Sequence, residues 1–287
     1  MDPVTGPIDI HHRLDYSLSR PSGPLALWLR LLPVDRPGLT VETASLTLVP
    51  LPQNRHTLVD DAGNRHDRII LTGPVQRVVI ASHSRVRLIP APGGLIDGLL
   101  VDDLSGTPGH WAGSGPLTPF VPDLTALART ALVPGRALAP ALSHLVDEIG
   151  RGMRFAAGAT TVATDAATAW AGGVGVCQDF SHILLAALRG MGVACRYAAG
   201  YLAPVASGQW MGAEPHAWVE VATADGRWIT LDPANGRCPA GGVITVSVGR
   251  DYDDVRPVEG GASGDVAVAM TGEVELRRLG APADPVV

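Results

Sequence analysis

The sequence predicts an α+β protein, with an N-terminal antiparallel β-sandwich-like domain followed by a core in which a helix packs on an antiparallel sheet. Three observations predict it. Residues 8–90 alternate apolar and polar side chains in short runs parted by Pro, Gly and an Asp-Ala-Gly-Asn turn. Residues 123–171 carry Ala and Leu at three- and four-residue spacing. Residues 173–233 then read as a helix, a strand and a hairpin.

The early runs, IDIHHRLDYSL, LALWLRLL, LTVETASLTLVPL, DRIILTG and VQRVVIASHSRVRLI, have the period of two that puts alternate side chains on opposite sheet faces. They define a β domain over residues 1–100. His11, His12, His56, His66 and His83 lie in it without metal-ligand spacing and read as half-exposed strand residues. Residues 101–122 belong to a Gly- and Pro-rich stretch without periodicity, which reads as a connection, and residues 123–287 form the second domain. Within it, helices are expected over 123–133, 139–152 and 164–171.

Composition excludes several functions. With 287 residues, 46% of them hydrophobic, the chain has ample material for a core. A net charge of −6 gives no basic field to gather phosphates, so neither nucleic acid nor an anionic membrane surface is an expected partner. All 22 positive side chains are Arg, which leaves no ε-amine for Schiff-base chemistry or cross-linking. Three cysteines, an odd and sparse set, predict free thiols in a reducing compartment. With no leader pattern and no run of roughly 20 apolar residues, the expected location is the cytoplasm. No cofactor is expected, and the oligomeric state is open.

Chemistry concentrates after residue 172. In Gly173-Val174-Gly175-Val176-Cys177-Gln178-Asp179-Phe180-Ser181-His182 a helix begins whose Phe180, Ile183, Leu184, Ala187, Leu188 and Met191 share one face; Gly190 and Gly192 close it. Cys177 then sits in the first turn, where unpaired N–H groups and the positive dipole end favour thiolate over thiol. The same region can hold an oxyanion, with Gly175, Val176 and Gln178 as candidates. Cys195, on the strand read over 193–202, is structural. Metal binding by Cys177, His182, Cys195 and Cys238 lacks paired ligand spacing, so no metal is expected, and His182 reads as a partly exposed helix residue.

Glu214 to Val221 and Arg227 to Pro233 read as the two strands of a hairpin. Its loop length decides what meets His216. A two-residue turn at Asp225-Gly226 places His216 opposite Asn235 and turns Asp232 to the other face; a three-residue loop brings His216 and Asp232 onto one face. The carboxylate is favoured on chemical grounds, because it stabilises the imidazolium formed when a thiol gives up its proton. Trp218, with Trp228 and Trp210, is a candidate wall of the substrate cleft, though core packing suits the first two equally.

Gly175-Val176-Cys177-Gln178-Asp179-Phe180-Ser181-His182, Arg196-Tyr197 with Gly200-Tyr201, His216-Ala217-Trp218-Val219-Glu220 and Leu231-Asp232-Pro233-Ala234-Asn235-Gly236 closely resemble the bacterial transglutaminase-like family. Gly249-Arg250-Asp251-Tyr252 continues the resemblance, and the β-rich first part is similar to the N-terminal region that accompanies this core in bacteria. The resemblance implies a papain-like, transglutaminase-like core with Cys177, His216 and Asp232 at the triad positions and a peptide or amide as substrate. That family holds peptidases, amidases, amide transferases and inactive relatives. Hydrolysis is preferred here, because water needs no second binding site; acyl transfer by the same triad and an inactive peptide-binding module are the alternatives. One departure is Glu214-Pro215 before the His, where smaller residues are usual; it would narrow the cleft or place a charge near the base.

Overall fold

The alternation in the first 90 residues resolves into β1 (Pro7–Ser22), β2 (Leu25–Leu29), β3 (Leu39–Val49), β4 (Asn54–Val59), β5 (Arg65–Leu71) and β6 (Val75–Leu88). The structure is a computed structural model that describes residues 6–89, 96–104, 111–206, 208–261 and 266–280. Parts of the Gly- and Pro-rich connection, 90–95 and 105–110, lie outside the described residues. Beyond it come α1 (Pro122–Ala131), α2 (Leu138–Gly152), β7 (Arg154–Phe155), α3 (Ala166–Gly172), β8 (Val174–Gly175), α4 (Cys177–Gly190) and β9 (Cys195–Leu202). The chain continues through β10 (Met211–Ala213), β11 (His216–Ala222), β12 (Trp228–Leu231), β13 (Val243–Gly249), α5 (Tyr252–Val255), β14 (Val258–Gly261) and β15 (Val268–Arg278).

Two antiparallel sheets, ordered β10-β15-β1-β6-β3 and β14-β2-β5-β4, face each other across a core that includes Leu14, Leu27, Leu29, Leu48, Ile69 and Ile80. The chain's last strands therefore belong with its first: β15 pairs with β1 from Ile8↔Arg278 to Leu18↔Val268, and β14 pairs with β2. Sheet membership thus crosses the expected division into 1–100 and 123–287. Alternation marks β15 as a strand but carries no sign of its partner. Among the five early histidines, His12 is not half-exposed; it is buried, with Nδ1 2.8 Å from Tyr201 Oη.

A third sheet, β12-β11-β9-β13, carries α4 on one face. Leu142, Leu145, Ile183, Leu184, Leu188, Tyr197, Val219, Val221 and Leu231 form the core between this sheet and the helices. In α2, Leu138, Ala141, Leu142, Leu145, Val146 and Ile149 are the buried positions, at the spacing of one helical face. Asp165 starts α3 by accepting the Thr168 N–H at 2.7 Å. The β-rich part is tied to β13 by Asn64, whose amide imitates a neighbouring strand: Nδ2 donates to Val248 O at 2.7 Å and Oδ1 accepts from Val248 N at 2.8 Å.

Arg189, at the end of α4, is buried and holds four segments together. It donates to Trp111 O, Thr118 Oγ1, Cys195 O and Arg250 O at 2.7–3.2 Å. Loss of a charged donor leaves these acceptors unmet inside the protein, so Arg189→Met is expected to destabilise the fold by about 3 kcal/mol. The midpoint of urea unfolding measures this, and an unchanged midpoint would contradict the role given to the guanidinium.

Candidate active site

Cys177 is the first residue of α4, and the helix start is built around it. Asp179 reaches back so that Oδ2 accepts from the Val176 N–H at 2.7 Å and from Thr160 Oγ1 at 2.6 Å. This needs a glycine at 175: an added Cβ would lie 2.6 Å from Asp179 Cβ and 2.7 Å from its Oδ2. Two expected oxyanion candidates are committed elsewhere. The Val176 N–H serves Asp179, and Gln178 Nε2 donates to Val162 O at 3.2 Å. The remaining first-turn N–H groups of α4, beginning with that of Cys177, have no intrahelical acceptor.

His216 opens β11, and the hairpin register sets its neighbours. Val219↔Leu231, Glu220↔Thr230, Val221↔Ile229 and Ala222↔Trp228 pair, and Thr223 N donates to Arg227 O, so the loop is the three-residue Ala224-Asp225-Gly226. Gly226 takes φ +84°, the left-handed position such loops require. The odd loop puts His216 and Asp232 on one face, and His216 Nε2 lies 2.9 Å from Asp232 Oδ2. After Asp232 the chain folds into a tight turn closed by paired Asp232 and Arg237 backbone hydrogen bonds. That turn returns Asn235, whose Nδ2 donates to Asp232 Oδ2 at 2.7 Å and lies 3.3 Å from His216 Nε2. The carboxylate and the amide are thus both present, the amide acting on the carboxylate.

A buried carboxylate on Nε2 assigns the ring proton there and leaves Nδ1 as the nitrogen available to Cys177, which is near enough to contribute to the ring's raised pKa. Burial disfavours the imidazolium, but hydrogen bonds to Asp232 and Cys177 and their charges outweigh it and raise the His216 pKa to about 9. Asp232 is also penalised by burial, yet His216 and Asn235 hold its pKa below the ordinary carboxylate value.

The expected tryptophans take structural places, Trp218 with its ring 6.1 Å from that of His216. Trp218 is fully buried, packed with Ala198 and Val248, and so lines no cleft. Trp228 carries the Arg196 guanidinium 3.8 Å above its ring, and Trp210 packs with a tilted ring against His11 at 4.1 Å between centroids. His182, expected to be partly exposed, is fully buried; its Nε2 accepts the Tyr252 N–H at 3.2 Å, and burial lowers its pKa to about 3. Thr160 escaped the sequence reading and Tyr252 entered it only through the family resemblance, since neither sits in a pattern that announces a partner so far along the chain. Among the described residues no group of three or more His, Cys, Asp or Glu side chains is arranged to hold a metal ion.

Comparison with known proteins identifies the family. Residues 125–233 match the transglutaminase-like superfamily and residues 8–87 the bacterial transglutaminase-like N-terminal region, and the chain belongs to this family. Uncharacterised proteins of Mycobacterium bovis and of Mycobacterium tuberculosis strain H37Rv are each 34% identical over 233 residues, 75% of this chain and 74% of theirs. A solved protein of Cytophaga hutchinsonii, described as a candidate cysteine protease, has the same fold, with a TM-score of 0.74 over 98% of this chain and 93% of its own at 19% identity.

The three thiols differ in setting. Burial raises both Cys195 and Cys238 to about 11, whereas Cys177 stands at the start of α4 near the His216 ring. Iodoacetamide near neutral pH is therefore expected to label Cys177 first, read by peptide mass. Earlier labelling of either other cysteine would contradict the assignment.

Proposed function

We propose that the protein is a cysteine-nucleophile amide hydrolase, a peptidase or amidase, with Cys177 as nucleophile, His216 as general base and acid, and Asp232 as the group that orients His216. The observation that carries the reading is the His216 ring, held at Nε2 by buried Asp232 at 2.9 Å, with Cys177 at the start of α4 contributing to its raised pKa.

The chemistry follows from that placement. Cys177 Sγ, its proton taken by His216 Nδ1, attacks the carbonyl carbon of an amide, and the oxyanion meets first-turn N–H groups of α4. As the tetrahedral adduct collapses, the C–N bond breaks and the Nδ1 proton passes to the departing amine, leaving an acyl-thioester on Cys177. Water then attacks the thioester, giving its proton to Nδ1; the C–S bond breaks, the acid leaves, and sulfur departs as thiolate beside the protonated ring. Throughout, Asp232 accepts from Nε2 and stabilises the imidazolium without itself becoming protonated.

Intact-mass measurement on mixing with short peptide amides tests the reading. The expected result is a transient acyl adduct on Cys177 that decays to acid in water, with no turnover by Cys177→Ala. Asp232→Asn is expected to lower the rate by about 10⁴-fold, and Asn235→Ala, which removes only a donor to Asp232, by far less. Turnover that survives Cys177→Ala would overturn the proposal.

A further inference from the structure

Residues 155–164 (FAAGATTVAT), between β7 and α3, contain no charged side chain. This loop is fixed along its length. Ala156 N–H donates to Gly175 O at 2.9 Å, which with the Phe155↔Gly175 pairing lays its first residues along β8. Ala159 N–H donates to Ala156 O at 3.3 Å, across a turn in which Gly158 takes φ +74°, a region glycine enters freely. Thr160 Oγ1 donates to Asp179 Oδ2, and Val162 O accepts from Gln178 Nε2. The loop is therefore held against residues on both sides of Cys177 in the chain: Gly175 before it, Gln178 and Asp179 after it.

Two large apolar side chains stand out of this loop. Phe155 is 55% exposed and Val162 52%. The Phe155 ring lies 6.5 Å from that of Phe180 and near-parallel to it. Phe180 is buried and comes three residues after Cys177, on the same face of α4. Phe155 thus carries the apolar surface of that helix face out to solvent.

Single exposed apolar residues are ordinary on a protein surface. Here the two belong to one loop whose hydrogen bonds leave it little freedom to bury them, at the start of the helix that begins with Cys177. Arg154, just before the loop, is on the opposite face of β7 from Phe155, and Asp165, just after it, is engaged as the cap of α3. The loop itself carries no charge that would draw an ionic side chain.

We propose that Phe155 and Val162 form an apolar shelf that receives an uncharged, apolar side chain, of the size of leucine or phenylalanine, from a peptide substrate. It rests on the reading of the protein as one that acts on peptides or amides and adds the side chain it selects. Docking removes apolar surface from water on both partners, and a loop already fixed loses little freedom when it binds.

Binding to the Cys177→Ala protein tests this without turnover. The probes are N-acetyl-Ala-Leu-Ala-amide and N-acetyl-Ala-Ser-Ala-amide, titrated calorimetrically. The Leu peptide is expected to bind at least about tenfold tighter, and the combined Phe155→Ser and Val162→Ser substitution to abolish the difference. Val162→Asp, a single change at an exposed position, is expected to weaken the Leu peptide and to strengthen N-acetyl-Ala-Arg-Ala-amide. Equal affinities of the Leu and Ser peptides, a preference that survives the double substitution, or a Val162→Asp protein that binds as before would overturn the shelf. A selective Leu peptide together with a wild-type Cys177 that forms no acyl adduct would instead sink the hydrolase reading and leave the shelf standing.

Discussion

Asp232 is fully buried, and a carboxylate without water is costly unless donors meet its oxygens. Here the His216 ring and the Asn235 side chain serve Oδ2, and the Asn235 backbone N–H serves Oδ1 at 3.3 Å. The site follows from this one requirement. An imidazole held by a buried anion carries its proton readily, has one orientation, and keeps its second nitrogen available. Linkage gives the same interaction a pH signature. The His216 pKa is raised, so its contribution to stability is complete below 6.5 and is lost as pH rises through about 9. The Asp232 pKa is lowered, so its contribution is complete above 3.8 and is lost as pH falls through the lower folded value.

Three parts of the fold deliver these groups. The three-residue loop at Ala224-Asp225-Gly226 fixes strand parity, and one residue more or fewer would turn Asp232 away from His216. Asp179 and Gly175 fix the start of α4 and so the place of Cys177. At the far end of that helix Arg189 anchors α4 to β9 and to the segment before α5, while Asn64 docks the β-rich part on β13, the edge strand beside β9. The β-rich part is therefore no appendage: it completes the packing behind the strands that carry the site.

Much of this was legible in the sequence, and the remainder was not for a physical reason. The position of Cys177 at a helix start follows from local periodicity and flanking glycines. Hairpin parity reduced the partner of His216 to Asp232 or Asn235, and the geometry uses both, because the turn from Asp232 to Arg237 folds Asn235 back. Burial was harder to read. His182 and Trp218 carry polar atoms, yet both are fully enclosed by elements distant in sequence. The return of β14 and β15 to the first sheets was equally hidden, since alternation fixes which face of a strand is buried and leaves its neighbour unspecified. Gln178 stands beside Cys177 in sequence, but its side chain serves the loop at Val162.

The central claim is that the Asp232 carboxylate holds His216 protonated at neutral pH. Titration of the His216 ring protons by NMR tests it most directly, in the wild-type chain and in Asp232→Asn. The account predicts a wild-type midpoint near 9 and, once the carboxylate is neutral and burial is less opposed, a midpoint shifted well downward towards the ordinary value of 6.5. A wild-type midpoint already at the ordinary value, or one that Asp232→Asn leaves unmoved, would contradict it.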